Sequence, residues 1–443
     1  MAATSSKPVF DGATLSPKLK PKADQDAVSL PIGKTGGGLD RAYKHAAGKS
    51  NTYAPEVVDM IYHMSRQGVF DDGQVSAFVE AKLMAERDLA RQIPAATWDQ
   101  LVFLSANLTR LVIDPYREKC DSRAVIGPGR PRPLFLAWPI VFGQVDFARL
   151  PEALPGHIAR AAAQGDLAIT VAADLPRDST WTASTIIEVD AGSEPVDLAT
   201  AAAVQITPGP GGWVDAGQTQ RTIEAVHRST DAQIPVGVVV PVERVGAIVD
   251  ATVGLGIDFY VCDGQWTGSD RPTEIFPELG AAPRLEVLTE TVERLRWHCQ
   301  EEHIQVIYRG GIRGGADAGK AHCLGATAVT LGLAAVIGMG FKITRIDNEK
   351  SLIESLAKSR DSDEVQSMVY NFAKSIVTEV TMLARACGKS SVANMEPEDL
   401  RALTIDTSAA TGIPLAGRDA CFRDRADLNV DDPGVPPVAA GHE

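Results

Sequence analysis

Eight short apolar runs alternate with helical or loop segments between residues 131 and 340, and this alternation constrains the fold most strongly. The runs are PLFLAWPIVF, DLAITV, STIIEV, AAVQI, PVGVVV, DFYVCD, IQVIYR and ATAVTL. Because they lack the polar alternation of half-exposed strands, each run is expected to be a strand buried on both faces, as in a parallel sheet. Eight such strands predict an α/β fold of the (β/α)8 TIM-barrel type. A doubly wound open sheet is the alternative that the strand count leaves open.

The segments outside this stretch differ from it in composition and periodicity. The first residues are poor in large apolar side chains and rich in Lys, Gly, Ser and Pro, so they cannot bury enough surface to become ordered. Apolar residues recur at helical spacing over residues 55–92 and 364–386, and Gly388 is a natural stop for the second helix. We predict a mobile N-terminal arm at 1–55, a helical extension with the segment leading into the barrel at 56–130, the barrel at 131–340, a C-terminal helical segment packing on it at 341–417, and a loose tail at 418–443.

The charge balance and the cysteine pattern limit the partners and the compartment. The chain has 43 Lys and Arg against 57 Asp and Glu, a net charge of −14, so it lacks the basic surface that binds nucleic acid or anionic membranes. Six cysteines are scattered singly, and the first ten residues lack the pattern of a secretory signal, which indicates a cytoplasmic protein. The uncharged stretch 324–341 contains four glycines, so we interpret it as a buried strand, loop and helix rather than a membrane span.

Two successive strand–glycine–helix units form the strongest local signal for a binding site. One strand runs into residues 310–313 ahead of a helix, and the next strand runs into residues 332–334 ahead of another. Such units let backbone N–H groups converge on one anion, and in barrels they form the phosphate site after strands seven and eight. The alternative is that the glycines only make tight turns. The candidate phosphate-binding residues are Gly310, Gly311, Ile312, Arg313, Gly332, Leu333 and Ala334.

The same region contains an apparent nucleotide-binding motif. Residues 314–320 satisfy GxxxxGK, the first part of a P-loop. Position 321 is alanine where a magnesium-binding hydroxyl is required, and Gly319 and Lys320 are expected inside the following helix rather than in the loop. We therefore reject an NTPase.

Three separate blocks of the sequence, in the same order, match one protein family. RGGIRGGADAGKAHCLGATAVTLGLAAVIGMG (309–340) resembles the flavin-phosphate region of the FMN-binding synthase domain of the glutamate synthase family. WDQLVFLSANLTRLVIDPYREKCDSRAVIG (98–127) resembles the segment before that domain's barrel, and ARACGKSSVANMEPEDLRALT (384–404) with GIPLAG (412–417) resembles its C-terminal segment. The likeness covers about residues 97–417 and is strongest to the stand-alone subunit of the N-methylglutamate synthase type. Three ordered blocks are more specific than any single glycine motif.

This resemblance implies an FMN-dependent oxidoreductase that reduces the imine formed from a 2-oxo acid and ammonia or an amine, in glutamate or N-methylglutamate metabolism. It also implies that residues 310–313 hold the flavin phosphate from one side and residues 332–334 from the other, where glycine lets the backbone approach closely. Because Met1-Ala2-Ala3 offers no cysteine nucleophile for a glutaminase, we expect ammonia or an amine to come from solution or from a separate amidotransferase subunit of an oligomer.

Other parts of the family pattern are poorly kept. Where relatives carry a Gly-Met-Ser-Phe-Gly-Ala-Leu-Ser loop near the flavin ring, this chain reads FGQVDFARL at 142–150. The run PVGVVV lacks the lysine that relatives present to the cofactor, and their glycine-rich loop survives only as Asp263-Gly264 followed by QWTGSD. Two other functions therefore stay open: a degenerate barrel that acts as a scaffold or partner without redox chemistry, and a barrel that binds another phosphorylated ligand. No catalytic residue is assigned.

No metal centre is predicted. Full-length glutamate synthases hold a 3Fe–4S cluster on cysteines after the last barrel strand, whereas this chain has no cysteine between Cys323 and Cys387. It also lacks the CxxC pair of a zinc ribbon. His298, Cys299 and His303 lie close enough in sequence to share a metal, but we interpret them as surface or packing residues.

Overall fold

Eight parallel strands close into a ring, so the predicted (β/α)8 barrel is confirmed and the open sheet is wrong. The computed structural model describes residues 55–68, 96–106, 113, 118–151, 153–175, 181, 183–193, 198–207, 216–265, 276–279, 283–339 and 362–418. The strands in these residues are β1 (Leu101–Phe103), β2 (Ala124–Ile126), β3 (Leu134–Leu136), β4 (Ile140–Phe142), β5 (Ala168–Ala172), β6 (Ser184–Asp190), β7 (Ala203–Thr207), β8 (Val236–Pro241), β9 (Phe259–Asp263), β10 (Gln305–Arg309), β11 (Ala328–Leu331) and β12 (Leu400–Ala402). Strands β4 to β11 form the ring, and β11 pairs with β4 to close it.

The interior of the ring is packed with apolar side chains. Phe259 on β9 is fully buried, and its aromatic ring lies 2.4 Å from the position that a Cβ on Gly237 of the neighbouring β8 would occupy. Any side chain at position 237 would therefore force this ring out of the core. The glycine in the run PVGVVV is explained by this contact between strands.

The first predicted strand, PLFLAWPIVF, is divided into two elements. Only β4, its last part, belongs to the barrel, while β3 pairs antiparallel with β2. The hairpin residues Ile126 and Leu136 are 0% and 1% exposed and pack in one cluster with barrel residues such as Val141 and Val239. The prediction of a single strand was wrong because an apolar run of this length cannot by itself show that its first part pairs with a preceding strand outside the barrel.

Helices surround the ring and tie the segments before and after it together. Those in the described residues are α1 (Pro55–Gln67), α2 (Ala153–Gln164), α3 (Ala216–Ser229), α4 (Val245–Thr252), α5 (Glu286–Trp297), α6 (Gly315–Cys323), α7 (Leu333–Gly338), α8 (Ser362–Ala386) and α9 (Ile405–Thr411). The long helix α8 packs against α1, α2 and α6. Gly388, with φ +77°, ends it as predicted, and Lys389 N–H donates to the Ala384 carbonyl at 2.8 Å. Antiparallel pairing of β1 with β12 joins the two flanks of the barrel.

Several sequence predictions fall outside the described residues. These are the mobile arm up to residue 54, the second helical stretch after residue 68 and the loose tail from residue 419 onward. The uncharged stretch near residue 324 forms β11 and α7, as predicted. None of the described helices is both long and apolar enough to cross a membrane.

A buried histidine on α6 makes the fold sensitive to acid. His322 is 4% exposed, its Nδ1 bonds the Ala326 carbonyl at 2.8 Å, and its Nε2 has no hydrogen-bond partner in the described part of the chain. Burial lowers the pKa of His322 to about 4. In the unfolded chain this histidine binds a proton below about pH 6.5, whereas in the folded chain it binds one only below about pH 4. Between these pH values we expect this one group to remove about 3 kcal/mol of the free energy of unfolding.

The measurement is urea unfolding at several pH values for the wild type and His322→Leu. The variant is expected to lose stability less steeply as the pH falls from 6.5 to 4. His303→Leu is the matched control because His303 is exposed, and its pH profile should follow the wild type. Identical slopes for all three proteins would contradict the assignment.

Candidate functional site

Two backbone N–H groups from different barrel loops converge on one carboxylate. Gly311 N–H, in the loop after β10, donates to Oε1 of Glu278 at 3.2 Å. Leu333 N–H, in the loop after β11, donates to Oε2 of the same side chain. Glu278 lies in a short turn between β9 and α5 and is 1% exposed. We call the loop residues Gly310, Gly311, Gly332 and Leu333 the anion cradle.

The cradle requires glycine for reasons of backbone conformation and space. Gly310 and Gly311 have φ values of +146° and +62°, which are unfavourable for other residues. A Cβ on Gly332 would stand 2.6 Å from the Glu278 Oε2 and 3.2 Å from the Gly143 carbonyl oxygen. N–H groups of the two glycine loops therefore meet at one carboxyl group, which belongs to the protein itself.

A guanidinium and two carboxylates meet beside the cradle, at the C-terminal ends of barrel strands. Arg309, the last residue of β10, donates from Nε to Asp263 Oδ2 at 3.0 Å and from Nη1 to Glu188 Oε1 at 3.2 Å. Gln205 Nε2 donates to the same Glu188 oxygen at 2.5 Å. Burial disfavours the charge on Arg309, but the Asp263 and Glu188 carboxylates outweigh it and raise the pKa of the guanidinium above its usual value. The mouth of the barrel thus holds a permanently charged arginine.

The neighbouring loops add polar groups to this mouth. Asp190, at the end of β6, accepts a hydrogen bond from Thr207 Oγ1 at 2.9 Å. Gln144, in the loop after β4, donates from Nε2 to Gln265 Oε1 at 3.4 Å, and its own Oε1 is buried without a hydrogen-bond partner in the described residues. Gln144 also has φ +59°, a conformation that non-glycine residues rarely adopt. The loop that replaces the family's ring-side sequence is therefore strained and polar.

The Asp263-Gly264 pair kept from the family pattern is explained by a buried tyrosine. A Cβ on Gly264 would stand 2.2 Å from the Tyr308 hydroxyl, which lies 3.4 Å from the Arg284 carbonyl oxygen that accepts its hydrogen bond. Burial raises the pKa of Tyr308 well above its usual value, so the phenol is neutral. Trp98 packs edge-on against the tyrosine ring at a centroid distance of 5.2 Å. Gly264 is thus needed to make room beneath the barrel mouth.

The side chain of Arg313 is held by two carboxylates outside the cradle. Its Nε donates to Asp317 Oδ2 at 2.7 Å, and its Nη1 donates to Asp99 Oδ2 at 2.8 Å. Burial disfavours its charge, but Asp317 and Asp99 raise the pKa of Arg313 well above its usual value. Ile312 and Ala334 are completely buried apolar residues next to the cradle. Only the backbone of these flanking positions is therefore suited to contact an anion.

Lys320 of the apparent nucleotide motif and His298 of the metal candidates contact other parts of the protein. Gly319 and Lys320 lie inside α6, as predicted, and Lys320 Nζ donates to the Trp98 carbonyl at 2.6 Å. His298 Nε2 lies 2.8 Å from Asp250 Oδ1 on α4. The described residues contain no group of three or more His, Cys, Asp and Glu side chains placed to hold a metal ion. The absence of iron–sulfur and zinc stays a prediction for the whole chain.

Two side chains of this site, Arg309 and Glu278, are absent from the sequence predictions. Arg309 directly precedes Gly310, and a charged residue at the C-terminal end of a barrel strand is a recognisable signal for function. Glu278 has no such signal, since it reaches backbone groups 33 and 55 positions further along the chain. The mid-barrel strand β8 carries no lysine, as predicted, and the cation of the mouth comes from β10 instead.

Comparison with known proteins finds a likeness to glutamate synthases in sequence and to mandelate oxidase in fold. The conserved region in glutamate synthase matches residues 213–390. The glutamate synthase large subunit-like protein of Rhizobium meliloti (strain 1021) is 26% identical over 423 residues, which cover 80% of this chain and 95% of that protein. The archaeal-type glutamate synthase (NADPH) of Thermotoga sp. (strain RQ2) is 33% identical over 122 residues, 27% of this chain and 24% of that protein. A solved structure of mandelate oxidase with 3,3-difluoro-2-hydroxy-3-phenylpropionic acid has a TM-score of 0.50 at 18% identity and covers 82% of this chain and 98% of its own.

The closed barrel defines a TIM-barrel protein in which N–H groups from the loops after the last two strands meet at the Glu278 carboxyl group. The likeness to mandelate oxidase supports this fold. The match over residues 213–390 and the match to the Rhizobium meliloti protein show that the chain resembles glutamate synthases. The predicted resemblance to the glutamate synthase family is thereby confirmed.

Proposed function

We propose that this protein is an FMN-dependent oxidoreductase of the glutamate synthase type, which reduces the imine formed from a 2-oxo acid and ammonia or an amine. The observation that carries the proposal is the anion cradle, in which Gly311 and Leu333 N–H groups from two loops bind one buried anion. Phosphate groups bind to such convergent backbone donors. The relatives named glutamate synthase support the assignment of the ligand and the reaction.

The donors of the cradle are compatible with a flavin phosphate. The carboxylate of Glu278 is a stand-in for one: it carries negative charge, accepts from both loops and lies where Gly332 leaves no Cβ. When the cofactor binds, we assign the Gly311 and Leu333 N–H groups to its phosphate. Backbone N–H groups suit phosphate binding because they are neutral, so no positively charged side chain has to be buried together with the phosphate.

Bound FMN would supply the hydride for reduction of an imine carbon. The chain's own contribution lies in the mouth, where Arg309 is kept charged by Asp263 and Glu188. A fixed guanidinium of this kind can orient a carboxylate of a 2-oxo acid or stabilise negative charge on a neighbouring group. Among the described residues of the mouth, the carboxyl groups of Glu188, Asp190 and Asp263 outnumber this guanidinium, which also suits a cationic amine.

The proposal is tested on purified protein by its visible absorption spectrum, by phosphate analysis of any released ligand, and by turnover of 2-oxo acids with ammonia or methylamine and an added reductant. We expect a flavin spectrum, released FMN and turnover of one such pair. A protein that neither contains nor binds flavin would contradict the proposal. We also propose, on the resemblance to the N-methylglutamate synthase type, that it works with separate synthase or amidotransferase subunits in the cytoplasm, which co-purification of its complexes would test.

One observation favours a second candidate function. Because Glu278 already occupies the cradle, a degenerate barrel without redox chemistry would need no ligand there. A colourless protein with no released ligand supports that alternative, whereas a colourless phosphorylated ligand supports a barrel with another substrate.

A further inference from the structure

The buried glutamate in the cradle has no role in the function proposed above. Its two carboxylate oxygens use the N–H groups of Gly311 and Leu333, the same groups that a phosphate would need. Its side chain is almost completely excluded from water at 1% exposure. A buried carboxylate is costly unless it is hydrogen-bonded, so these contacts stabilise it where it is.

We propose that Glu278 is an internal ligand of the anion cradle, and that a phosphate group binds only by displacing its carboxylate. The inference rests on the proposed function, since FMN is the phosphorylated ligand it concerns. The Glu278 carboxylate would then compete with the cofactor phosphate for the cradle N–H groups. Glu278 itself lies between β9 and α5, outside the two loops that form the cradle.

Competition follows from the number of donors and from charge. Each of the two N–H groups carries one hydrogen, and both hydrogens point to Glu278. A phosphate in the same place would also lie against a carboxylate in a partly desolvated pocket, where like charges repel strongly. The carboxylate and the phosphate therefore exclude each other.

Displacement requires movement of the side chain alone. Phe276, two residues before Glu278, is 0% exposed and anchors the backbone of the turn in the core. The glutamate has three rotatable side-chain bonds, so it can swing out of the cradle while the turn stays in place. If the emptied cradle is populated about one time in ten or less, the apparent affinity for a phosphate falls about tenfold or more.

The test compares FMN with riboflavin, which lacks the phosphate, by quenching of flavin fluorescence on titration with the apoprotein. The quantity is the ratio of the riboflavin Kd to the FMN Kd, because effects on the flavin ring cancel in it. We expect this ratio to rise about tenfold or more in Glu278→Gln and Glu278→Ala, since both remove the competing charge. Thermal unfolding shows whether each variant is folded. If the alanine variant is not folded, the comparison uses the glutamine variant, which is nearly isosteric with glutamate.

Glu379→Gln is the matched control. Glu379 on α8 also accepts a hydrogen bond from a glycine N–H, that of Gly315 at 2.7 Å, but outside the cradle, so its ratio should equal the wild-type value. An unchanged or lowered ratio in the Glu278 variants would overturn the inference and make Glu278 a fixed brace between the loops, while FMN binding by the wild type would leave the proposed function intact. If no variant binds FMN or riboflavin, both the inference and the proposed function fail.

Discussion

Replacing Gly311 with aspartate is expected to reduce FMN binding at least tenfold, which corresponds to about 1.4 kcal/mol. The N–H of Gly311 is one of the two cradle donors, and its φ of +62° is unfavourable for a residue with a side chain. The new carboxylate would stand beside the Glu278 carboxylate and beside any bound phosphate in a partly desolvated pocket. Strain and repulsion therefore act together against both the cradle and its ligand.

The measurement is FMN occupancy by titration and mass spectrometry, with thermal unfolding recorded for every protein. Gly254→Asp is the matched control, because Gly254 is exposed and a Cβ there would meet no atom within 4 Å. Gly311→Ala adds the side chain without the charge and should bind FMN with intermediate affinity. Equal occupancy in the wild type and all three variants would show that Gly311 only shapes a turn.

Replacing Arg313 with methionine is expected to lower the free energy of unfolding by about 3–5 kcal/mol. The guanidinium is 6% exposed, and its removal deprives the buried Asp317 carboxylate and the half-buried Asp99 carboxylate of a positive charge. Asp99 belongs to the segment that leads into the barrel, whereas Asp317 lies in the first turn of α6. The loss should therefore also loosen the attachment of that segment to the barrel.

Urea unfolding of the wild type and the variant checks this value. Arg123→Met removes an arginine from an exposed pair, in which Arg123 and Asp121 side chains are 77% and 43% exposed, and should change stability little. Asp99→Asn combined with Arg313→Met should recover part of the loss, because it removes one of the two carboxylates that have lost the guanidinium. If Arg313→Met costs no more than Arg123→Met, the buried pairs do not stabilise the fold as described.

The prediction of the site from sequence was limited by the range of its contacts. Each glycine loop of the cradle directly follows one of the last two barrel strands in the sequence. A strand, a glycine loop and a helix in succession form a local pattern that the sequence shows. Glu278 lies outside any motif, and its position in the cradle follows from the path of the loop after β9. Arg313 directly follows the glycine loop in the sequence. Its side chain nevertheless lies outside the cradle and donates to Asp99, which is 214 positions away.

The sequence by itself determined a parallel sheet of eight buried strands covered on both faces, because the runs lack polar alternation. It also determined where the two glycine loops lie, since parallel neighbouring strands bring their C-terminal ends together. The pairing of β11 with β4 in the tertiary structure then decided for the closed barrel over the open sheet. Only the tertiary structure decided that β3 leaves the first strand to form a hairpin with β2, and that the carboxylate of Glu278 occupies the cradle. Both depend on contacts between residues far apart in the chain, for which periodicity and local motifs carry no information.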